Sequence, residues 1–348
     1  MLETKSGTRG GTNKILPIIA GGYSAFQLLW AGVKLGLFNY LSAHPGATLR
    51  NVQKHLKINE QPTKIILNGL VSIGLVGIKK EGFFNSNEVE EQLVDGKPFS
   101  VAPLIEWHAR INYPAMSDFV ESLIQDRNVG LRHFSGNGET LYQRLSGNSD
   151  LEGVFQRAMS TLSAKTNPAL IRSFDFGKFS HVLDVGGGDG TNAASLVKAF
   201  PNIRVTVFDI PSVCDRAKSK VKSMGLQSKI KTLAGNFLDD PFPEGVDVVL
   251  FNHIMPIWSA KRNQSLIKKS FSSLPRKGAI VIFNMMNDDV SWPITPALGS
   301  LYFHTIATGE GMLYSWSDYE KWLRKAGFRT VKKTGGFCLD HGVISGIK

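Results

Sequence analysis

Apolar residues change their spacing once along this chain. Over roughly residues 15–170 they recur at helical intervals. "NKILPIIAGGYSAFQLLWAGVKLGLFNYLS" predicts packed helix up to a loop at "AHPGAT". "TLRNVQKHLKINEQPTKIILNGLVSIGLVGIKKEGFFNSN" then predicts helix, turn, helix and a hairpin of two short strands. Thr48 suits the cap of the first of these helices, and Pro62 the first turn of the next, where its missing N–H costs little. From about residue 180 the pattern becomes short β-branched runs: "HVLDVGG", "RVTVFDI", "KIKTLAGN", "VDVVLFNHI", "GAIVIFNMM" and "HGVISGIK". Helical stretches such as "NAASLVKAF", "DRAKSKVKSM", "KRNQSLIKKSFSSL" and "SDYEKWLRKAG" separate most of them. The alternation predicts an α/β fold with a mostly parallel sheet and helices on both faces. Ligands of such sheets bind beyond the carboxyl ends of the strands, so "LFNHIMPIWS", residues 250–259, is a strand mouth.

Composition narrows this picture. A chain of 348 residues with 42% hydrophobic and 20% charged residues can fill two ordinary domains. The two cysteines, Cys214 and Cys338, form no CxxC knuckle and no disulfide framework, as expected of a reducing cytoplasm. No apolar run reaches the ~18 residues of a membrane span. "SAFQLLWAGVKLGLF" comes nearest and is interrupted by Lys34 and glycines. Residues 1–14, polar and glycine-rich, read as a frayed tail and not as a signal peptide. The formal charge of +11 raises nucleic acid as a partner. The lysines are dispersed, however, and the cluster "RAKSKVKSM" reads as a solvated helix face. "QPTKIILNGLVSIG", the only helix placed like a DNA reader, is too apolar to address base edges. Neither a nucleic-acid nor a membrane partner is expected.

The glycines carry chemistry. "LDVGGGDGTNAASL" follows a strand and opens a helix. Gly186, Gly187, Gly188 and Gly190 let the backbone turn sharply and admit a ligand with no Cβ in the way. Asp184 precedes the loop, and Asp209 ends the next strand, where an acid can accept both hydroxyls of a ribose. A dinucleotide loop would read GxGxxG, and Asp189 at this turn would repel a pyrophosphate. A cationic, phosphate-free nucleoside suits the loop better, and S-adenosylmethionine (SAM) is such a ligand.

"VLDVGGGDG", "FDIPSV" and "AGNFLDDPFPEGVDVVLFNHI", with "FQRAMS" and "WLRKAGF", resemble the class I SAM-dependent small-molecule O-methyltransferases. The resemblance covers the chain from about residue 15. It implies a mainly α-helical winged-helix dimerisation and substrate-lid domain over 15–165, a Rossmann-like SAM domain over 166–348, and an intertwined homodimer. It places Asp184, Gly186, Gly188 and Asp209 at SAM. Asn236 stands where the family's "GDF" acid would be, followed by Phe237, and Asn252 replaces a frequent lysine.

The strand mouth departs from that family. It usually reads "HDW", with His as the general base. Alignment on Trp258 and Ser259 puts Pro256 at the base position, and Asn284 replaces the acid that orients the base. A base contributes about 10²–10⁴-fold, whereas positioning reaches effective molarities on the order of 10⁵–10⁸ M. Methyl transfer therefore survives the loss when the acceptor is an aromatic or heteroaromatic O-, N- or C-nucleophile, or a 2-oxo acid. His253 and His304 are the candidate proton-handling residues. His133, Met255, Trp258, Met286 and Phe303 are the candidate substrate contacts. His253, Met255 and His304 also raise a divalent or ferric metal, although their order fits no known ligand spacing cleanly; two unrelated polar groups at a pocket wall is the simpler reading. The expectation is a dimeric, cytoplasmic methyltransferase of secondary metabolism. Two alternatives stay open: a non-methyl reaction, cyclisation or rearrangement, on the same SAM scaffold, and a SAM-sensing regulator.

Overall fold

The computed structural model describes residues 15–98 and 100–348. The expected tail, 1–14, lies outside the described residues. The chain divides into two compact units, Met1–Glu106 and Trp107–Lys348.

In the first unit the helix Leu49–Leu56 begins where the sequence places it. Thr48 accepts from the Asn51 amide, and Asn51 Oδ1 accepts from the Thr48 amide at 2.9 Å, a reciprocal cap. The next helix, Glu60–Ser72, buries Thr63, Ile66, Leu67 and Leu70, one stripe at helical spacing. A hairpin follows, β1 (Val76–Lys79) and β2 (Gly82–Asn85), paired antiparallel. Its two turn residues are Lys80 and Glu81, both at positive φ. Gly82 is needed for a different reason: a Cβ there would lie 2.7 Å from the Gly46 carbonyl oxygen. Leu37, Phe38, Leu41, Val52 and Val76 close the core of this unit.

The second unit is built on seven strands in the order β5-β4-β3-β6-β7-β9-β8. They are β3 (His181–Val185), β4 (Arg204–Asp209), β5 (Ile230–Ala234), β6 (Val248–Asn252), β7 (Ala279–Met285), β8 (Thr330–Thr334) and β9 (His341–Ile347). β3 to β7 run parallel, and β9 is antiparallel to both of its neighbours. The α/β expectation holds, with six of the seven strands where β-branched runs predict them. The seventh, β8, reads TVKKT and is almost wholly exposed. Its lysines protect a sheet edge and erase the apolar alternation that would have revealed it.

Each face of the sheet is covered. Leu183, Val185, Phe251, Ile280 and Ile282 pack on one side with Tyr319, Trp322 and Phe328. Val182, Val205, Leu250, Val281 and Phe283 pack on the other with Leu170, Phe176 and Ala193. Burial on both faces explains why these strands read as continuous apolar runs. The helices between residues 107 and 173 belong to this unit, because Ile111, Leu131, Phe134 and Val154 share a core with Tyr302 and Ile306. Strand order reverses at β3, between β4 and β6, which sets the ligand crevice beyond their carboxyl ends.

Candidate active site

The loop after β3 is shaped by its glycines. Gly186, Gly188 and Gly190 all adopt left-handed φ, at +67°, +59° and +82°. A Cβ on Gly186 would drive into the Ile254 side chain, and one on Gly187 would sit 2.6 Å from Asp184 Oδ2. The Gly186 amide donates to the Phe208 carbonyl at 2.8 Å, tying the loop to β4. Asp189, which the sequence leaves as an unanswered charge, has a cation: Lys220 Nζ donates to its Oδ2 at 2.7 Å and to Thr191 Oγ1 at 2.6 Å. Ser160 also bonds Asp189, and Asp189 Oδ1 accepts from the Thr191 amide at 3.1 Å at the start of the next helix. Lys220 thus corrects the reading of its cluster as a purely solvated face.

Two acids remain for a ligand. Asp209 Oδ2 accepts from the Gly188 amide at 3.0 Å and Oδ1 from the Ile210 amide at 2.8 Å. Burial raises its pKa to about 6, against the pull of those two amides. Asp184 is fully buried, and neither of its carboxylate oxygens has a hydrogen-bond partner. Burial, and then the charge of Asp209, raise its pKa to about 8. An orphaned buried polar group costs about 1–3 kcal/mol. Glycine turns that admit close approach, beside one carboxylate lacking donors and a second held by two backbone amides, fit a ligand that brings hydroxyls and positive charge. SAM, with its ribose, ammonium and sulfonium, meets that requirement.

Phe237 and Trp258, expected at cofactor and substrate respectively, stand together: their rings meet edge-on at 6.2 Å. The indole N–H of Trp258 is buried without a partner. Asn236 spends its side chain on its own turn, donating to Asp239 Oδ2 at 2.6 Å and accepting from the Leu238 amide at 3.1 Å. Asn252 is buried and donates to Asn167 Oδ1 at 3.4 Å, and its own Oδ1 has no partner.

At the mouth of β6 the backbone reverses. His253 has φ +59°, the left-handed region that a non-glycine residue rarely occupies. Alternation along β6 would carry His253 to the face of Val249 and Phe251. The left-handed turn instead lays its ring 5.6 Å from Phe283, which belongs to the opposite core. The His253 amide donates to the Phe283 carbonyl at 2.9 Å, and its Nε2 lies 2.9 Å from Nε2 of His341. Sequence reasoning missed His341. It opens the last strand, and nothing in its spacing announces that three-dimensional neighbour. Burial, then the nearby His341, hold the His253 pKa well below the usual imidazole range. Burial lowers that of His341 to about 4. Pro256 is buried. Asn284, also buried, donates to the Tyr319 hydroxyl at 3.3 Å.

The other expected residues are scattered. Nε2 of His304 faces the Ser122 carbonyl oxygen at 3.1 Å, and Nε2 of His133 faces Asp118 Oδ2 at 3.0 Å. Met255 and Met286 are buried in the core, at 0% and 2% exposure. Nε2 of His253 and Nε2 of His304 are both engaged, each with a different partner. Among the described residues, no group of three or more His, Cys, Asp and Glu side chains is placed to hold a metal ion. Phe303 packs edge-on to Tyr302 at 5.1 Å, in a cluster with Trp107, Met116, Tyr142 and Phe155. Two π-helical turns, His108–Asn112 and Phe303–Ala307, contribute to this aromatic cluster, and such turns are frequent at functional sites. A cavity of about 850 Å³ lies among residues 117–144, lined by Asp118, Glu121, Arg127, Arg132 and Arg144 among others. None of its lining comes from the glycine loop or the strand mouths.

The sheet order, the glycine loop and the two buried acids beside it together define a SAM-dependent methyltransferase. Residues 116–329 match the O-methyltransferase domain family. The chain is 34% identical over 308 residues to an L-tyrosine C(3)-methyltransferase of Streptomyces lavendulae, covering 88% of this chain and 84% of that one. It is 29% identical over 340 residues to a 3-hydroxy-5-methyl-1-naphthoate 3-O-methyltransferase of Streptomyces sahachiroi, covering 96% and 95%. Among solved structures, the apo form of the SAM-dependent methyltransferase SibL superposes with a TM-score of 0.82 at 35% identity, covering 96% of this chain and 98% of that one. The human N-acetylserotonin methyltransferase bound to SAM shares the fold, with a TM-score of 0.87 at 23% identity over 98% and 99% of the two chains. This chain belongs to the O-methyltransferase family. It is an enzyme that uses SAM to methylate a small molecule.

Proposed function

We propose that this enzyme methylates a carbon of an aromatic ring that carries a phenolic hydroxyl, as part of cytoplasmic secondary metabolism. The observation that carries the reading is the buried proline at position 256. A proline takes no proton, so the usual base for a hydroxyl lying under the methyl group is missing. Asn284 in place of an acid points the same way. The relative at 34% identity acts, by its name, on C(3) of L-tyrosine. A phenol shares its oxygen electrons with the adjacent ring carbons, and such a carbon needs no base of its own in order to attack.

Asp184, Gly186, Gly188, Asp209, Asn236, Phe237 and Asn252 are assigned to SAM. When bound, SAM supplies an electrophilic methyl group on a sulfonium sulfur. Asp209 accepts the ribose hydroxyls, and the unpartnered Asp184 answers the positive charge. Phe237, joined by Trp258, flanks the adenine. Asn252 offers its free Oδ1. His253 and His304 are the proton-handling candidates, with His133 and Phe303 toward the acceptor and Met255 and Met286 bracing the strand mouths from within. Of residues 15–165, those up to 106 serve as the winged-helix dimerisation unit and those from 107, which share a core with the second unit, as the substrate lid, with 166–348 as the SAM domain, in a homodimer. Exposed Leu16, Ile19, Tyr23 and Ile65 support the pairing, because a second copy would cover them.

Incubating the full chain with SAM and L-tyrosine or related phenols tests the reading. The expected result is one S-adenosylhomocysteine per product, with the new methyl on a ring carbon by NMR. A methyl ether as the only product, or turnover without methylated phenol, overturns it.

A further inference from the structure

Resting on that phenol reading, we propose that His341 is a positioning residue that fixes the tautomer of His253, so that Nδ1 of His253 receives the phenolic proton. The argument starts at a carbonyl. Nδ1 of His341 lies 2.9 Å from the Cys338 carbonyl oxygen. A carbonyl only accepts, so Nδ1 of His341 carries the hydrogen. In a neutral imidazole the other nitrogen is then a lone pair. Nε2 of His253, 2.9 Å from that lone pair, must donate to it. His253 is therefore the Nε2–H tautomer, and its Nδ1 is left as an acceptor. Among the described residues no hydrogen bond ends on Nδ1, and the residue is only partly buried.

The local backbone is built for this chain of bonds. Leu339 and Asp340 both take left-handed φ, +56° and +54°, in the turn that sets the Cys338 carbonyl against His341. His253 is itself left-handed, a conformation worth on the order of 1–3 kcal/mol of strain, and its amide bond to Phe283 holds it there. The Phe283 ring contacts both imidazoles, at 5.6 and 5.2 Å. Asp340 is the charged group that acts on His341.

The proton step balances simply. The phenolic O–H bond breaks, its electron pair stays on oxygen and spreads into the ring, and an N–H bond forms at Nδ1. The Nε2–H bond to His341 then becomes charge-assisted and stronger. The proton leaves to solvent between turnovers.

Long-range ¹⁵N NMR on histidine-labelled full chain at neutral pH tests the tautomers without any substrate. The proposal expects Nδ1–H on His341 and Nε2–H on His253, and Nδ1–H on His253 overturns it. His341→Phe should lower kcat about 100-fold, the lower end for a general base, with KM and SAM affinity unchanged. His341→Asn, which restores an acceptor, should recover most of that loss. His253→Phe should match His341→Phe, and the double variant should be no worse. A kcat within twofold of the parent in His341→Phe overturns the positioning role. Should the parent methylate no phenol, the substrate reading falls and the acceptor role with it, while the NMR experiment still decides the tautomers.

Discussion

The two halves of the crevice are built on opposite rules. Beyond β3 and β4, backbone does the work: left-handed glycines, main-chain amides on Asp209, and an acid left without donors. Beyond β6 and β7, side chains do it, and they pair across the sheet in ways that local sequence does not dictate. A backbone cradle is specified by a short run of residue types. A side-chain constellation is specified by the fold. That is why the glycine loop could be read from the sequence while the pairing at the mouth of β6 could not.

The sharpest way to break the comparison is to spoil the cradle. Gly186→Val combines a left-handed φ, costing a side chain about 1–2 kcal/mol, with overlap onto Ile254, costing about 1–3 kcal/mol. SAM affinity by calorimetry should fall at least about 100-fold, equivalent to about 2.7 kcal/mol. Circular dichroism should show the sheet retained. Unchanged SAM affinity would mean that the loop is not a backbone cradle.

Most of the fold was legible because both faces of the sheet are buried. "VDVVLFN" and "AIVIFNM" read as strands, and Thr48 reads as a cap, while its reciprocal partner Asn51 appears only in the structure. β8 was not, because its lysines serve solubility. Within the site, GGGDG and Asp209 were legible because their spacing is local. His341 was not, because it lies 88 residues from His253 and meets it only after β7 intervenes. Pro256 was legible as an absence. What replaces it depended on one left-handed residue, His253 at φ +59°, and the modest preference of histidine for that region is too weak to announce it.

Asp184 tests the electrostatic half of the same contrast. Its folded pKa, about 8, stands above the ordinary carboxylate value of 3.8. Between those values the native state holds a proton that the unfolded chain has released. The stability of the ligand-free protein therefore falls as pH rises from about 4 toward 8. Asp184→Asn removes its share of that slope, all but abolishing the fall between about pH 6 and 8, while Asp209 keeps its own share below about pH 6. Ligand-free melting at pH 8 should rise, because the amide carries no charge to bury where the carboxyl is about half ionised. SAM should bind the variant more weakly, and binding to the parent should release protons, read by calorimetry in buffers of different ionisation enthalpy. Asp209, with its pKa near 6, contributes to that release at lower pH. A ligand-free melting curve that rises with pH from 5 to 8 would contradict the assignment.

Lys220 separates the cradle from its support and should give the smallest effect. Among the described residues its hydrogen bonds go to Asp189, Thr191 and Ser160, and not to Asp184 or Asp209. Its side chain is 36% exposed, so solvent screens the pair and limits its worth to about 1 kcal/mol. Lys220→Met frees Asp189 without touching Asp184 or Asp209. SAM affinity should fall about fivefold, the equivalent of that 1 kcal/mol, while the fall of ligand-free stability between about pH 6 and 8 stays that of the parent, because Asp184, which produces it, is intact. Loss of that slope in Lys220→Met would mean that Asp189 belongs with the ligand-facing acids, and the division between cradle and support would have to be redrawn around three carboxylates instead of two.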